Sequence, residues 1–153
     1  MKPNSWAPEI TPYSLPEKAK LTGMPSITLA DYYMGRDLTF PDQLTDILRS
    51  NAQITVERAN QLLFRAGMQR DVNSGWRPAE VNATVKNAAK SSKHITCQAI
   101  DIGDDDDALD AWCMSHQHIL AEIGLWMEHP SATPRWCHVQ IVAPKSGNRV
   151  FYP

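Results

Sequence analysis

Apolar residues recur at helical spacing through residues 41–66, where Leu44, Ile47, Leu48, Ile54, Ala59, Leu62 and Leu63 fall mostly on one stripe. Pro41 suits a first helical turn and Gly67 a terminator, so the segment predicts helix, with Ser50-Asn51 as a point of division into two. Upstream, Thr28 to Gly35 reads as a short helix capped by Thr28 and stopped by Gly35. A further helical stripe (Leu109, Trp112, Cys113, Ile119, Leu120) follows the run Asp104-Asp105-Asp106-Asp107 and extends to about Ile123. Carboxylates at a helix start satisfy its free N–H groups and complement its dipole. The run lacks the alternating spacing and distal Glu of a calcium loop, so it reads as a cap. His116 and His118 lie two residues apart on this helix and face different ways, which suits surface groups better than a joint metal site.

Elsewhere the period shortens to two. Met68 to Gly75 predicts a strand leading into Trp76-Arg77-Pro78, and Pro78 starts a short helix through Glu80-Val81-Asn82. Residues 84–93 are small and polar, a loop that delivers His94 to a strand ending at Gly103. Alternation along that strand puts Cys97, Ala99 and Asp101 on one face and Gln98, Ile100 and Ile102 on the other. Leu125 to Glu128 predicts another strand, Pro130 to Pro134 a loop, and Trp136 to Val142 a strand with Trp136, His138 and Gln140 opposite Cys137, Val139 and Ile141. Pro144 to Gly147 turns the chain towards a last edge strand, Arg149 to Tyr152. Helices followed by an antiparallel sheet covered on one side make an α+β domain. Residues 1–25 hold five of the eleven prolines, so 1–27 reads as an extended arm and 28–153 as the folded domain.

Composition narrows the class. A chain of 153 residues, 42% hydrophobic and 21% charged, suits one soluble domain with a real core. A net charge of −2 without a Lys/Arg cluster excludes a nucleic-acid footprint. No apolar run approaches the ~20 residues of a membrane helix, so no membrane insertion is expected. Three cysteines give no disulfide framework, and Cys97 and Cys137 fall on opposite faces in this reading; they suit small buried thiols. The start Met1-Lys2-Pro3-Asn4-Ser5-Trp6 lacks the apolar core of a signal peptide.

The chemistry lies in the two strands. Pairing them with their apolar faces together brings His94, Asp101 and His138 into one pocket. Three protein ligands with an open position are the arrangement of a catalytic zinc, Zn2+, rather than a structural one. The donor set is shared with manganese and iron sites.

The blocks Ser92-x-His94 with Ala99-x-Asp101, Trp136-Cys137-His138-Val139, Ser74-Gly75-Trp76-Arg77-Pro78, Val81-Asn82, Gly124-Leu125-Trp126-Met127-Glu128 and Ser146-Gly147-x-Arg149-x-Phe151 together resemble the M15 zinc peptidases. The resemblance covers residues 28–153 and implies a hedgehog-like fold, with helices packed on one side of a small antiparallel sheet that carries a zinc site. It further implies a metallopeptidase cutting peptidoglycan stem peptides, as a D-Ala-D-Ala carboxypeptidase or an L-Ala-D-Glu endopeptidase of the phage endolysin type. Such an enzyme would be a monomer, made in the cytoplasm without a signal peptide. It would reach the cell wall through a phage holin or a tail particle. Arg77 resembles the family arginine that faces the substrate carbonyl or carboxylate.

The chain departs from the family at two places. Cys97 stands where Gly is usual. Arg135 stands three residues before His138, where many members carry the Asp or Glu that acts as general base. The best remaining carboxylate is Glu128, with His129 as the alternative proton carrier. Ser92 and Gln140 suit orienting roles, and Trp136 either walls the cleft or packs. The rival expectation is a non-catalytic, zinc-containing cell-wall-binding or virion structural domain on the same fold.

Overall fold

The computed structural model describes residues 27–153. The Pro-rich arm falls outside them except for Ile27, which is buried and bracketed by Asn60: Ile27 N–H donates to Asn60 Oδ1 (2.8 Å) and Asn60 Nδ2 to the Ile27 carbonyl (2.9 Å).

Helix α1 (Leu29–Tyr33) opens on a reciprocal capping box between Thr28 and Asp31. It ends at Met34 and Gly35, both left-handed, from which the short α2 (Arg36–Thr39) departs. A 3₁₀ turn at Pro41–Gln43 precedes α3 (Asp46–Ala66), which Thr45 caps and Gly67 terminates at φ 68°. The expected division at Ser50-Asn51 is absent, because α3 runs through it unbroken. Asn breaks helices by bonding its own backbone. Asn51 instead sends its amide across to the Thr96 carbonyl (3.0 Å).

Strand β1 (Val72–Ser74) is shorter than the sequence suggests. Met68 N–H still closes the end of α3 on the Leu63 carbonyl, and a register shift interrupts pairing between Val72 and Ser74. Pro78 caps α4 (Ala79–Asn82). Strand β2 (Ala99–Gly103) begins only after Cys97, whose φ of 59° places it in a turn and not on the strand. Cys97 therefore does not share the Asp101 face: it is buried, its thiol meets Tyr32, and burial pushes it up to about 12.

The helix expected to continue to Ile123 is two helices, α5 (Ala108–Ser115) and α6 (Gln117–Ile123). The His116 imidazole bonds the Trp112 carbonyl (2.7 Å), the group that would accept the next helical N–H, and the His116 N–H falls back to Cys113 (3.1 Å). Asp104 performs the capping expected of the acidic run, accepting from the N–H groups of Leu109 (2.9 Å) and Asp110 (2.8 Å).

Strands β3 (Trp126–Glu128), β4 (Trp136–Gln140) and β5 (Val150–Phe151) complete a five-stranded sheet of order β1-β2-β4-β3-β5. The sheet is mixed, not antiparallel as expected, since β5 runs parallel to β3. The turn after β4 reverses the chain. The slot beside β4 is already filled by the antiparallel β3, so β5 docks one place further out and shares the direction of β3. The core face of the sheet carries Ile100, Ile102, Met127, Cys137 and Val139, with α3 against β2 and α5 against β4. Asp110 lies in this layer beside the Cys137 thiol; burial, opposed by that thiol and reinforced by the charges of Asp104 and Asp107, raises its carboxyl to about 6. Among the described residues, no helix is long and apolar enough to cross a membrane.

Candidate metal centre

The register of β2 and β4 places Asp101 directly opposite His138 and Ala99 opposite Gln140, all on the sheet face away from Ile100 and Val139. His94 arrives from a turn rather than from the strand. Ser92 Oγ accepts its backbone N–H (3.2 Å), and three neighbours grip the turn's carbonyls: Trp76 Nε1 at Ile95 (3.2 Å), Asn51 at Thr96 (3.0 Å) and Thr55 Oγ1 at Cys97 (2.7 Å). The buried Tyr32 hydroxyl donates to the Ala99 carbonyl (2.8 Å) and pins the start of β2.

Hydrogen bonding fixes the state of each imidazole. His94 Nδ1 lies 2.8 Å from the Gly75 carbonyl, which can only accept, so the proton sits on Nδ1. Nε2 is then a bare lone pair, buried without a hydrogen bond and 3.3 Å from Asp101 Oδ1. On the other side, Gln140 Nε2 donates to the Val142 carbonyl (2.8 Å), which turns Gln140 Oε1 towards His138 Nε2 (3.1 Å) and places a proton there. His138 Nδ1 is left facing Asp101 Oδ1 at 2.8 Å. A shared proton or a cation can bridge that contact; two bare acceptors cannot rest so close.

Burial lowers His94, against the charge of Asp101 and its close contact with the ring, which raise it. Burial alone would raise Asp101, but the imidazoles of His94 and His138 hold it well below the usual carboxylate range. Burial alone would lower His138, yet the hydrogen bond and charge of Asp101, with a smaller pull from Glu128, raise it. One ring nitrogen from each of His94 and His138 and one Asp101 oxygen lie within 4.8 Å of one another. For zinc bonds of about 2.0–2.1 Å at tetrahedral angles, ligand atoms sit roughly 3.3 Å apart. The donor set therefore fits zinc, and the orphaned His94 Nε2 is the observation that tests the fit.

Glu128 is on β3, next to β4, and alternation puts it on the His138 face. It is half-buried; burial raises its carboxyl, His138 lowers it and Asp101 raises it again. Arg77 is 8% exposed, and its Nε has no hydrogen-bond partner. Burial lowers the guanidinium while the charges of Asp101 and Tyr32 raise it. Arg135 points away to Asp105 (Nε–Oδ1 3.2 Å). His129 also turns outward, bonding Ser131 and stacking on Tyr152 with centroids 4.5 Å apart. Trp136 is half-buried opposite Gly103 at the far end of β4.

Sequence reasoning missed Gly75, whose carbonyl sets the His94 tautomer, along with Tyr32, Thr55 and Arg36. Arg36 donates to the Trp76 carbonyl (2.7 Å), next to Arg77 in the chain, and is lowered by burial and by the charge of Arg77. A Cβ on Gly75 would lie 1.9 Å from the Tyr32 carbonyl oxygen. Gly75→Ala is therefore expected to destabilise the fold by about 3 kcal/mol or more, beyond ordinary overpacking, because the clash is with backbone. Urea unfolding measures this, and an unchanged midpoint would refute the close approach.

No family model matches the chain, and no curated protein matches it either. Function therefore rests on the geometry of this site.

Proposed function

We propose that this chain is a zinc-dependent peptidase of the M15 type that hydrolyses peptidoglycan stem peptides. The observation that carries the reading is the bare, buried Nε2 of His94, held beside Asp101 and His138 by the Gly75 carbonyl. Zinc held by His94, Asp101 and His138 would supply Lewis-acid chemistry, polarising a carbonyl and lowering the pKa of water towards ~7. In this reading Glu128 takes the proton from the attacking water and returns it to the leaving amine. Arg77 meets the charge that develops on the carbonyl oxygen, as a guanidinium already in place before the reaction. A second guanidinium, Arg36, bonded to the backbone carbonyl just before Arg77, suits a substrate that carries a carboxylate. Ser92 holds the His94 backbone, and Gln140 orients the His138 imidazole, through the bonds already described.

One observation favours the non-catalytic alternative: Arg135 occupies the position three before His138 and is committed to Asp105. Mass spectrometry of purified muropeptides incubated with the zinc-loaded protein decides between them. Loss of one terminal alanine identifies a D,D-carboxypeptidase, and a cut between L-Ala and D-Glu identifies an endopeptidase. Intact muropeptides with zinc bound would leave the binding or structural role.

A further inference from the structure

We propose a second cation site, for a hard divalent ion of the Ca2+ type, formed by Asp104, Asp107 and Asp110 at the start of α5. The four consecutive aspartates have no calcium-loop spacing along the chain. Folding sorts them differently. Asp105 turns outward to Arg135 and Asp106 to Arg70 (Nη2–Oδ1 3.3 Å). Asp104, which is buried, and Asp107, which is exposed, meet Asp110, one helical turn further on. One oxygen from each of these three lies within 4.8 Å of the others. Two oxygens bound to one Ca2+ at about 2.3–2.6 Å can be at most roughly 5 Å apart, so this spacing is within reach of a single ion.

A second observation points to a ligand. Asp110 is 2% exposed, and neither of its carboxylate oxygens receives an N–H or O–H donor; the neighbouring Cys137 thiol is a weak donor and carries no charge to offset the carboxylate. Among the described residues no salt bridge reaches Asp107 or Asp110. Arg70 approaches only Asp104, at 3.8 Å, while directing its Nη2 to Asp106. Asp104 is fully buried and each of its oxygens accepts one helix N–H, which leaves a second lone pair on each. The cluster also has an approach from solvent: Asp107 and Asp110 line a surface depression of about 550 Å³ with Pro130 and Ser131. An all-carboxylate donor set selects hard cations and differs from the His–His–Asp set of the first centre. A cation here ties the loop after β2 to α5 and supplies the counter-charge that the buried Asp110 lacks.

The test uses the full chain after chelator treatment, titrated with Ca2+ and, by luminescence, with Tb3+. The expected result is one Ca2+ per chain, with a melting temperature that rises with Ca2+ concentration. Asp107→Asn, at an exposed position where Asn tolerates the left-handed backbone, is expected to weaken binding about tenfold or more through the lost ligand charge. Asp110→Asn is expected to abolish the Ca2+-dependent shift while circular dichroism shows the chain still folded. Absence of any Ca2+ effect up to about 10 mM, beyond the range of weak calcium modules, would overturn the site. So would a Ca2+ effect that survives in both variants. If Asp110→Asn raises the melting temperature while the parent ignores Ca2+, a proton rather than a cation neutralises Asp110, and the site is refuted.

Discussion

Glu128→Gln is expected to lower kcat for muropeptide hydrolysis about 100- to 10,000-fold, the usual contribution of a positioned acid–base group, with fold and zinc content unchanged. Glutamine keeps the shape and one acceptor oxygen but cannot carry a proton. The position earns its role from the sheet order, which sets β3 beside β4 and directs Glu128 to the face of His138. A base acts in its ionised form, so activity should fall as pH drops through the Glu128 pKa. Burial, set against His138 and reinforced by Asp101, raises that value above the ordinary carboxylate. The acid limb of the kcat/KM profile should accordingly lie above the ~4.3 of an exposed Glu. Turnover followed by mass spectrometry, with zinc measured on the same sample, checks both points. Unchanged turnover in the variant would move the proton transfer to another group.

The two strand residues of the candidate site were legible because a period of two survives folding. Asp101 and His138 each stand among apolar neighbours of opposite phase, and matching those phases puts both on one face, as observed. Glu128 required more, since its face follows from alternation but its distance from His138 depends on which strand lies next to β4. His94 was legible as a ligand type but not in its setting: the turn that presents it depends on a left-handed Cys97 and on carbonyls gripped by Trp76, Asn51 and Thr55 from distant segments. Gly75 acts through its carbonyl, and no side-chain pattern reports a backbone acceptor. Local propensity misled at Ser50-Asn51, where a tertiary bond redirects Asn51, and at His116, where a side chain displaces a helical hydrogen bond. The direction of β5 depends on a slot already filled by β3. The pairing of Asp104 and Asp107 with Asp110 was hidden for a related reason: in the linear run all four aspartates look alike, and only the arginines opposite Asp105 and Asp106 divide them.

His94→Ala is expected to abolish stoichiometric zinc binding at micromolar metal and with it all measurable hydrolysis. Loss of a partner that merely orients a ligand costs roughly 10- to 100-fold in metal affinity, so loss of one of three direct ligands should exceed that. His94 is the cleanest of the three to remove. Burial already disfavours its charged form, and its ring lies 3.3 Å from Asp101 Oδ1, further than the 2.8 Å of His138, and is held from the other side by the Gly75 carbonyl. Removing His138 would instead strip the carboxylate of Asp101 of its closest partner and confound metal loss with unfolding. Gln140→Ala supplies the graded comparison. It frees the His138 Nε2 proton and should weaken zinc within the 10- to 100-fold range without eliminating turnover. Proton release gives an independent readout. His138 is raised by Asp101 and must give up its Nδ1 proton to accept a cation, so zinc affinity should fall as pH is lowered through the His138 pKa. Calorimetry in buffers of different ionisation enthalpy measures that proton. If His94→Ala retains one zinc per chain with hydrolysis intact, the three residues are a buried hydrogen-bonded cluster of the sheet and the peptidase assignment fails with them.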